Sequence, residues 1–165
     1  MTTTQIGKLA VRRSIEIDAA PERVWQEFAS AERFRLWYTP EGGAALDCKH
    51  VEYEPRVGGV FETRGYHEWQ GGQQDFGFDG EVIVFDPPRE LTVSMKAKHM
   101  TWEGTCYLTF LLEPIAGGRT LATIVQHGFE SFGDGGQNWY NAFESGWNMD
   151  VPNALRNLVE TGRAG

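Results

Sequence analysis

The sequence predicts an α+β fold, in which a curved antiparallel sheet of about seven strands packs against a long C-terminal helix. Three observations lead to this prediction. Alternating apolar and polar residues fill positions 44 to 129, in segments separated by glycine, proline and aspartate. Apolar residues then recur at three- or four-residue spacing over residues 137–162. The length of 165 residues suits one domain with a sizeable buried core.

The first elements follow a polar tail at residues 1–8. A strand with alternating apolar side chains is predicted within residues 9–17. Pro21 suits the first position of a short helix, because its missing N–H would have no helical partner there. Ser30 is expected to cap a second short helix. We expect residues 9–162 to form a single domain.

The middle of the chain predicts six further strands, separated by turn residues. They are expected at residues 45–54, 58–66, 76–85, 90–96, 102–113 and 119–128. The connecting turns are expected at Arg56–Gly59, Gly71–Gly72, Asp86–Pro88 and Ile115–Gly118.

The C-terminal segment predicts a helix after a loop rich in glycine, Gly133–Gly136. The glycines allow backbone movement, so this loop is a candidate gate over a binding site. Pro152 interrupts the helical pattern and removes one backbone hydrogen bond. We therefore expect a kink or a restart of the helix near Asp150.

Composition excludes several classes of protein. Fifteen lysines and arginines against 23 acidic residues give a net charge of -8, which opposes non-specific binding to nucleic acid. No stretch of about 18 apolar residues predicts a membrane span, and the N-terminus has no continuous apolar run typical of a signal peptide. Cys48 and Cys106 are too few for a disulfide framework. The expected location is the cytoplasm.

Short motifs along the chain occur in the order of a known superfamily. They are Ala20–Trp25, Phe34–Trp37, Arg56–Gly59, Gly80–Val82, Pro87–Leu91, Gly128–Phe129 and Gly146–Trp147. Together they resemble the START-like helix-grip (SRPBCC) superfamily, in the branch similar to the C-terminal domain of the activator of the heat-shock-protein-90 ATPase. The resemblance runs from about Val11 to Leu158. It implies a helix-grip fold with a cavity for a small, mostly apolar molecule, and it does not imply one reaction.

Two positions depart from the pattern of that branch. Many of its members carry a histidine three residues before the phenylalanine of the Gly–Phe pair, whereas this chain has Gln126 there and His127 beside it. Because neighbouring side chains of a strand point to opposite faces, an inward role does not transfer to His127. The second departure is Pro152, which affects the expected mouth of the cavity.

The aromatic residues are the strongest indication of a ligand site. Those expected between sheet and helix are Phe34, Trp37, Trp102, Phe110, Phe143 and Trp147. Strand alternation adds Phe61, Thr63, Cys106, Leu108, Ile124 and Gln126 to the candidate ligand-binding residues. The alternative is that these side chains only fill the core. Gln126 in particular needs a partner for its amide, which can be protein, water or ligand.

No residue pattern predicts a catalytic or metal centre. Glu62, Arg64, Tyr66, His99, Glu103 and Tyr107 could carry protons or charge, but their spacing matches no recognised catalytic motif. The four histidines are isolated in sequence, and neither cysteine belongs to a CxxC pair. We expect no metal, no cofactor and no catalytic residue.

Three functions remain open at this point. The leading hypothesis is a binding protein for a small hydrophobic or aromatic molecule. The second is an enzyme acting on a polyketide-like or other apolar substrate, oriented by Gln126, Tyr66 and Arg64. The third, which the resemblance allows, is a co-chaperone domain that stimulates a chaperone ATPase. A homodimer is a further alternative, with Trp69 or Tyr38 as surface markers.

Overall fold

A computed structural model of the chain describes residues 5–38, 48–69, 72–97 and 101–165. Seven antiparallel strands form one curved sheet in the order β1-β7-β6-β5-β4-β3-β2. Consecutive strands from β2 to β7 are neighbours, and β1 completes the sheet beside β7. The strands are β1 Val11–Ile17, β2 Cys48–Tyr53, β3 Val60–Trp69, β4 Gly72–Asp86, β5 Glu90–Ala97, β6 Cys106–Ile115 and β7 Arg119–His127. The predicted α+β class and the number of strands are confirmed.

Two short helices follow β1, as the sequence predicts. Helix α1 spans Pro21–Trp25 and has its proline in the first turn. A single 3-10 turn leads to helix α2, Ala31–Tyr38. The Ser30 Oγ accepts a hydrogen bond from the Arg33 backbone N–H at 3.1 Å, which is the expected N-cap.

The C-terminal helix is divided into two segments. A 3-10 stretch, Phe129–Gly135, leads into α3, Gly136–Gly146, and α4 follows over Asp150–Thr161. Pro152 lies in the first turn of α4, where a backbone N–H has no helical partner. The expected restart near Asp150 is therefore found, and it places the proline where it costs little.

Strand register sets one face of the sheet as the inner face, toward the helices. On this face Leu108 of β6 lies opposite Gln126 of β7, and Phe110 lies opposite Ile124. Next to Leu108, Cys106 is also buried, as strand alternation predicts. Helix α4 packs its buried side chains toward β1 and α2, and this completes the core at one end of the sheet.

The motifs named above include two glycines that the fold requires for steric reasons. A Cβ atom at Gly80 of β4 would overlap the backbone oxygen of Ser94 on β5. Gly128 follows β7 directly and has φ +95°, a conformation that other residues rarely adopt. The chain can thus turn from β7 directly into the 3-10 stretch.

Two strands begin four residues away from their predicted starts: β4 begins at Gly72 instead of residue 76, and β6 begins later than predicted. The predicted strand begins at residue 102, whereas β6 begins at Cys106, so Trp102 lies in the preceding loop. The Thr105 N–H donates to Ser131 Oγ at 2.9 Å instead of joining a strand ladder. This contact ties the loop to the 3-10 stretch. Within the described ranges, no helix is long and apolar enough to cross a membrane.

Candidate functional site

The inner face of the sheet carries two groups of aromatic rings. The first, here called the α2 cluster, lies under helix α2. Its members are Trp25, Phe28, Phe34, Trp37, Tyr38, Tyr53, Phe61 and Phe110. The ring centroids of Phe34 and Trp37 are 4.7 Å apart, and those of Phe28 and Phe110 are 5.6 Å apart. Four predicted ligand-binding residues, Phe34, Trp37, Phe61 and Phe110, therefore contact other rings of this cluster.

The polar atoms of the α2 cluster have partners within the protein. The Trp37 Nε1–H donates to the backbone oxygen of Glu27 at 3.1 Å. The Tyr53 hydroxyl donates to the backbone oxygen of Phe28 at 2.6 Å, and burial raises the pKa of this hydroxyl. The α2 cluster is thus a packed core with its hydrogen bonds satisfied.

The second group, here called the α3 cluster, lies under helix α3. Its members are Phe78, Trp102, Phe129, Phe132, Trp139, Tyr140 and Phe143. The Trp102 ring is 5.6 Å from Phe78, 5.3 Å from Trp139 and 6.2 Å from Phe143, measured between centroids. Two predicted ligand-binding residues, Trp102 and Phe143, therefore lie together although they come from a loop and a helix.

A polar group lies on the inner face beside the α3 cluster. Gln126 is 1% exposed, and its Oε1 accepts a hydrogen bond from Trp147 Nε1 at 2.7 Å. Burial raises the pKa of the neighbouring Cys106 thiol to about 12, and the Gln126 amide opposes this rise more weakly. Cys106 is therefore a neutral thiol at physiological pH, unsuited to nucleophilic catalysis.

Three buried polar atoms of this region have no hydrogen-bond partner. They are Thr63 Oγ1 on β3, Trp102 Nε1 and Gln126 Nε2. The side chains that carry them are 7%, 7% and 1% exposed, respectively. In the described part of the chain, the other such atoms are Glu90 Oε1 and Arg119 Nε, which belong to residues outside this region. Buried polar groups are nearly always paired in native proteins, so this concentration is unusual.

His127 points away from this site, as the one-residue offset predicts. It pairs with Tyr107 on the outer face of the sheet, and the two rings stack with centroids 5.6 Å apart. Its Nε2 lies 2.8 Å from Thr109 Oγ1. Burial, aided by the charge of Arg12, lowers the pKa of His127 to about 4, so the ring is neutral at physiological pH.

The groups considered for acid–base chemistry do not gather at the inner face. Arg64 lies on the outer face, where it forms ion pairs with Glu62 at 3.0 Å and Asp79 at 3.2 Å. Its expected role in orienting a substrate inside the fold is therefore wrong, because its strand position turns it outward. Glu103 is exposed. His99 and the side chain of Tyr66 lie outside the described residues.

Tyr38 is not a surface residue, contrary to the expectation that it could mark a dimer surface. It is 4% exposed, and its ring lies 5.0 Å from that of Phe34. Its place on the last turn of α2 directs it into the α2 cluster. The side chain of Trp69, the other suggested marker, lies outside the described residues. No group of three or more potential metal ligands occurs among the described residues.

The sequence reading missed several members of the α3 cluster. Phe78 lies directly opposite Thr63 in the β3–β4 register, so the alternation rule could have found it. Phe132 and Trp139 come from the 3-10 stretch and from α3. Their contact with Trp102 depends on the path of the chain after Gly128, which residue spacing does not give.

A comparison with models of known protein families shows the family of this chain. A family model described as "Activator of Hsp90 ATPase homolog 1-like protein" matches residues 18–160. The chain belongs to this family. The search of curated proteins found no match to this chain.

Solved structures share the fold of this family member. Protein CV1439 from Chromobacterium violaceum is 26% identical, with 93% of this chain and 99% of that chain covered and a TM-score of 0.63. The solution structure of the Aha1 dimer from Colwellia psychrerythraea is 17% identical, with coverages of 93% and 97% and a TM-score of 0.60. DynU16, a putative protein in the dynemicin biosynthetic locus, is 20% identical with a TM-score of 0.65. That match covers 96% of this chain and 49% of DynU16.

Proposed function

We propose that the protein binds a small, mostly apolar aromatic molecule between the inner face of the sheet and helix α3. The observation that carries this proposal is the position of α3 over the inner face. Phe143 and Trp147, at the end of this helix, are both buried, while much of the rest of α3 is exposed. The α3 backbone contacts the preceding 3-10 stretch and the sheet chiefly at β1. Large side chains, more than close backbone packing, therefore join α3 to the sheet.

The chemistry of this region fits a ligand site. Small-molecule sites are lined mostly by aromatic and apolar groups, with a few polar groups that fix the orientation of the guest. Here the apolar groups are the rings of the α3 cluster, and the polar groups are Gln126, Cys106 and Thr63. Aromatic rings provide contact area while losing little conformational entropy on binding.

The two aromatic clusters have different roles in this proposal. The α2 cluster has satisfied hydrogen bonds and interlocked rings, so it forms a fixed wall that includes Phe61 and Phe110. Apart from Phe78 on β4, the α3 cluster comes from a loop, a 3-10 stretch and a helix, and movement of these three elements would break few hydrogen bonds between strands. The guest is thus expected closer to Trp102, Phe143 and Trp147 than to Phe34 and Trp37.

The route of entry in this proposal is the 3-10 stretch before α3. Gly133 in this stretch has φ +63° and ψ -131°, which interrupts the helical backbone. Gly128 and Gly136 border the stretch on either side. Rotation at these glycines would lift the start of α3 from the sheet, as expected of a gate.

The proposal is tested by the uptake of an apolar fluorescent dye. N-Phenyl-1-naphthylamine is titrated into the wild-type protein and into F143A, and the fluorescence rise gives each Kd. Loss of one buried ring from the site is expected to weaken binding by about ten-fold or more. The matched control is L36A, because Leu36 is an exposed apolar residue of α2 at 39% exposure. Equal dye affinity of F143A and L36A, or no uptake by the wild type, would contradict the proposal.

A further inference from the structure

A chain of four buried side chains crosses the outer face of the sheet. His127 Nε2 on β7 lies 2.8 Å from Thr109 Oγ1 on β6. Thr109 Oγ1 lies 2.9 Å from Thr92 Oγ1 on β5, and Thr92 Oγ1 lies 2.7 Å from Glu90 Oε2 on the same strand. Each of these residues is at most 1% exposed. A titratable group therefore lies at each end of a continuous chain of hydrogen bonds.

The two threonines allow this chain to exist in two directions. A threonine hydroxyl can donate one hydrogen bond while it accepts another. In the first direction, the hydrogen bonds run from His127 Nε2 to an ionised Glu90 carboxylate. In the second direction, they run from a protonated Glu90 to His127 Nε2, and the ring proton lies on Nδ1. The three distances between heavy atoms fit both directions.

The Glu90 end of the chain offers little compensation for a negative charge. Its Oε2 accepts from the Thr92 hydroxyl, and its Oε1 is a buried atom without a hydrogen-bond partner. Asp86 of β4 and Leu111 of β6 lie opposite Glu90 in the sheet. The preceding residue, Arg89, pairs with Asp86. A buried carboxylate without a paired cation costs more free energy than a neutral carboxyl group in the same place.

The His127 end of the chain is also unsuited to a charge. Burial lowers the pKa of this imidazole, the charge of Arg12 on β1 lowers it further, and the charge of Glu130 opposes both. Tyr107, the titratable neighbour on β6, stacks on the imidazole. Within the described residues Nδ1 has no hydrogen-bond partner, so this nitrogen can take up a proton. An imidazolium that persisted here would leave a charge at both ends of the buried chain.

We propose that His127 and Glu90 form one proton-binding unit, in which a proton taken up at His127 is passed through two threonine hydroxyls to Glu90. A proton from solution binds to Nδ1, and Nε2 releases its own proton to Thr109 Oγ1. Thr109 releases its hydroxyl proton to Thr92 Oγ1, and Thr92 releases its hydroxyl proton to Glu90 Oε2. The products are a neutral imidazole with its proton on Nδ1, two hydroxyl groups and a carboxylic acid.

This proton-binding unit takes up one proton and leaves no charge in the buried chain. Its three hydrogen bonds reverse while the heavy atoms stay in place. The unit goes beyond the proposed function and does not depend on it, because its side chains lie on the face of the sheet opposite the proposed ligand site. The outer face is thus a pH-sensitive device that spans three strands.

The first test follows the protons of His127 by NMR. The full chain is labelled with ¹⁵N-histidine, and long-range ¹⁵N–¹H correlation spectra are recorded from neutral pH down to acid unfolding. These spectra distinguish the Nε2–H tautomer, the Nδ1–H tautomer and the imidazolium. His127 should change from Nε2–H to Nδ1–H without forming an imidazolium. His50 is the internal control, because its side chain is 53% exposed and should become an imidazolium.

The second test follows Glu90 by infrared difference spectroscopy. A protonated carboxyl group has a C=O stretch that a carboxylate lacks. This band should appear over the same pH range as the tautomer change of His127, because one proton serves both groups. In E90Q the band should be lost. His127 should then become an imidazolium in acid, since the chain has no final proton acceptor.

T109V interrupts the chain at its centre and keeps the branched shape of the side chain. In this variant His127 should become an imidazolium in acid, and the Glu90 band should no longer follow its proton uptake. T109S restores the hydroxyl and should restore the tautomer change. T123V is the matched control, because Thr123 lies on the same face and its hydroxyl contacts Ser14 at 2.9 Å, outside the chain. The tautomer change should persist in T123V.

Three results would overturn the proposal. The first is an imidazolium at His127 in the wild-type protein without a carboxyl band from Glu90. The second is an Nε2–H tautomer that persists until the chain unfolds, and the third is an unchanged tautomer change in T109V. If T109V does not fold, the wild-type spectra and E90Q decide. Failure of dye uptake overturns the proposed function alone and leaves the proton-binding unit standing.

Discussion

At the scale of single residues, Glu27 shows how the helical corner beside the α2 cluster is held. Its carboxylate is 1% exposed and lies between two arginines. Arg33 donates to both carboxylate oxygens at 2.9 and 2.8 Å, and Arg23 donates to Oε1 at 3.0 Å. Because the backbone oxygen of Glu27 also accepts from Trp37, this residue ties α2 to the preceding turn through two different groups.

Replacement of Glu27 by glutamine should destabilise the fold. The amide keeps the size of the side chain but cannot accept from both arginines, and its NH₂ group would face their positive charge. Since Arg23 and Arg33 are partly exposed, water takes up some of the lost interaction. We expect the free energy of unfolding to fall by about 2 kcal/mol, measured by urea denaturation.

Glu22 provides the control for this prediction. It lies on the neighbouring helix α1, and its side chain is exposed. E22Q should change the free energy of unfolding by less than about 0.5 kcal/mol. Equal losses in E27Q and E22Q would show that burial of the Glu27 carboxylate does not matter for stability.

At the scale of elements, Arg13 joins strand β1 to the break between α3 and α4. Two of its hydrogen bonds reach backbone oxygens at the C-terminal end of α3, where carbonyl groups lack helical partners. A positive charge at this end also interacts favourably with the helix dipole. The same contact fixes the backbone of Trp147, whose indole holds Gln126.

R13M should therefore loosen α3 more than α4. The methionine retains an apolar stem but removes the donors, and we expect a loss of about 1 to 2 kcal/mol in stability. Amide hydrogen exchange should become faster in residues 136–146 and stay nearly unchanged in residues 150–161. R12M is the matched control, because Arg12 is exposed on the same strand. Uniformly faster exchange in both helices would contradict a local role of Arg13.

At the scale of the whole molecule, the outer face of the sheet links stability to pH. A chain of buried side chains crosses β7, β6 and β5: His127 Nε2 to Thr109 at 2.8 Å, Thr109 to Thr92 at 2.9 Å, and Thr92 to Glu90 at 2.7 Å. Thr92 donates to the Glu90 carboxylate, so Thr109 donates to Thr92 and accepts from His127. This direction places the proton of a neutral His127 on Nε2.

The neutral state of His127 predicts lower stability in acid. Its pKa is about 4 in the folded protein, against 6.5 as the ordinary value. At pH values between 4 and 6.5, His127 binds a proton in the unfolded chain but not in the folded protein. The free energy of unfolding should therefore fall as the pH is lowered from 7 to 5. The contribution of this residue is about 2 kcal/mol over that range.

The pH dependence is measured by urea denaturation at pH 7 and pH 5. H127Q should have a smaller difference between the two pH values than the wild type, whatever its stability at pH 7. H50Q is the control, because the His50 side chain is 53% exposed. A wild-type-like pH difference in H127Q would show that His127 is not the group responsible.

Much of the fold could be predicted because it depends on local patterns. Strand alternation identifies the inner face, including Gln126 and the opposite direction of His127, since the period of two is fixed by backbone geometry. Proline and serine positions identify the starts of α1 and α2 for similarly local reasons. The restart of the C-terminal helix follows from the conformational limits of Pro152.

The division of the rings into two clusters could not be predicted in the same way. It depends on where α2 and α3 lie along the sheet, and side-chain spacing does not give that position. Trp102 lies against Trp139 although the chain between them includes two strands. The pairing of Gln126 with Trp147 likewise requires the height of α3 above β7, which only the folded chain defines.

The break at residues 147–149 gives the two C-terminal helices separate hydrogen-bond ladders. Fraying that starts at Gly136 can therefore stop at Trp147 without reaching α4, which stays anchored by Val151, Leu155 and Leu158. The proposed guest would then enter or leave by melting one short cooperative unit, while the remaining fold keeps its protection. Its exchange rate would be set by local opening of α3 rather than by global unfolding.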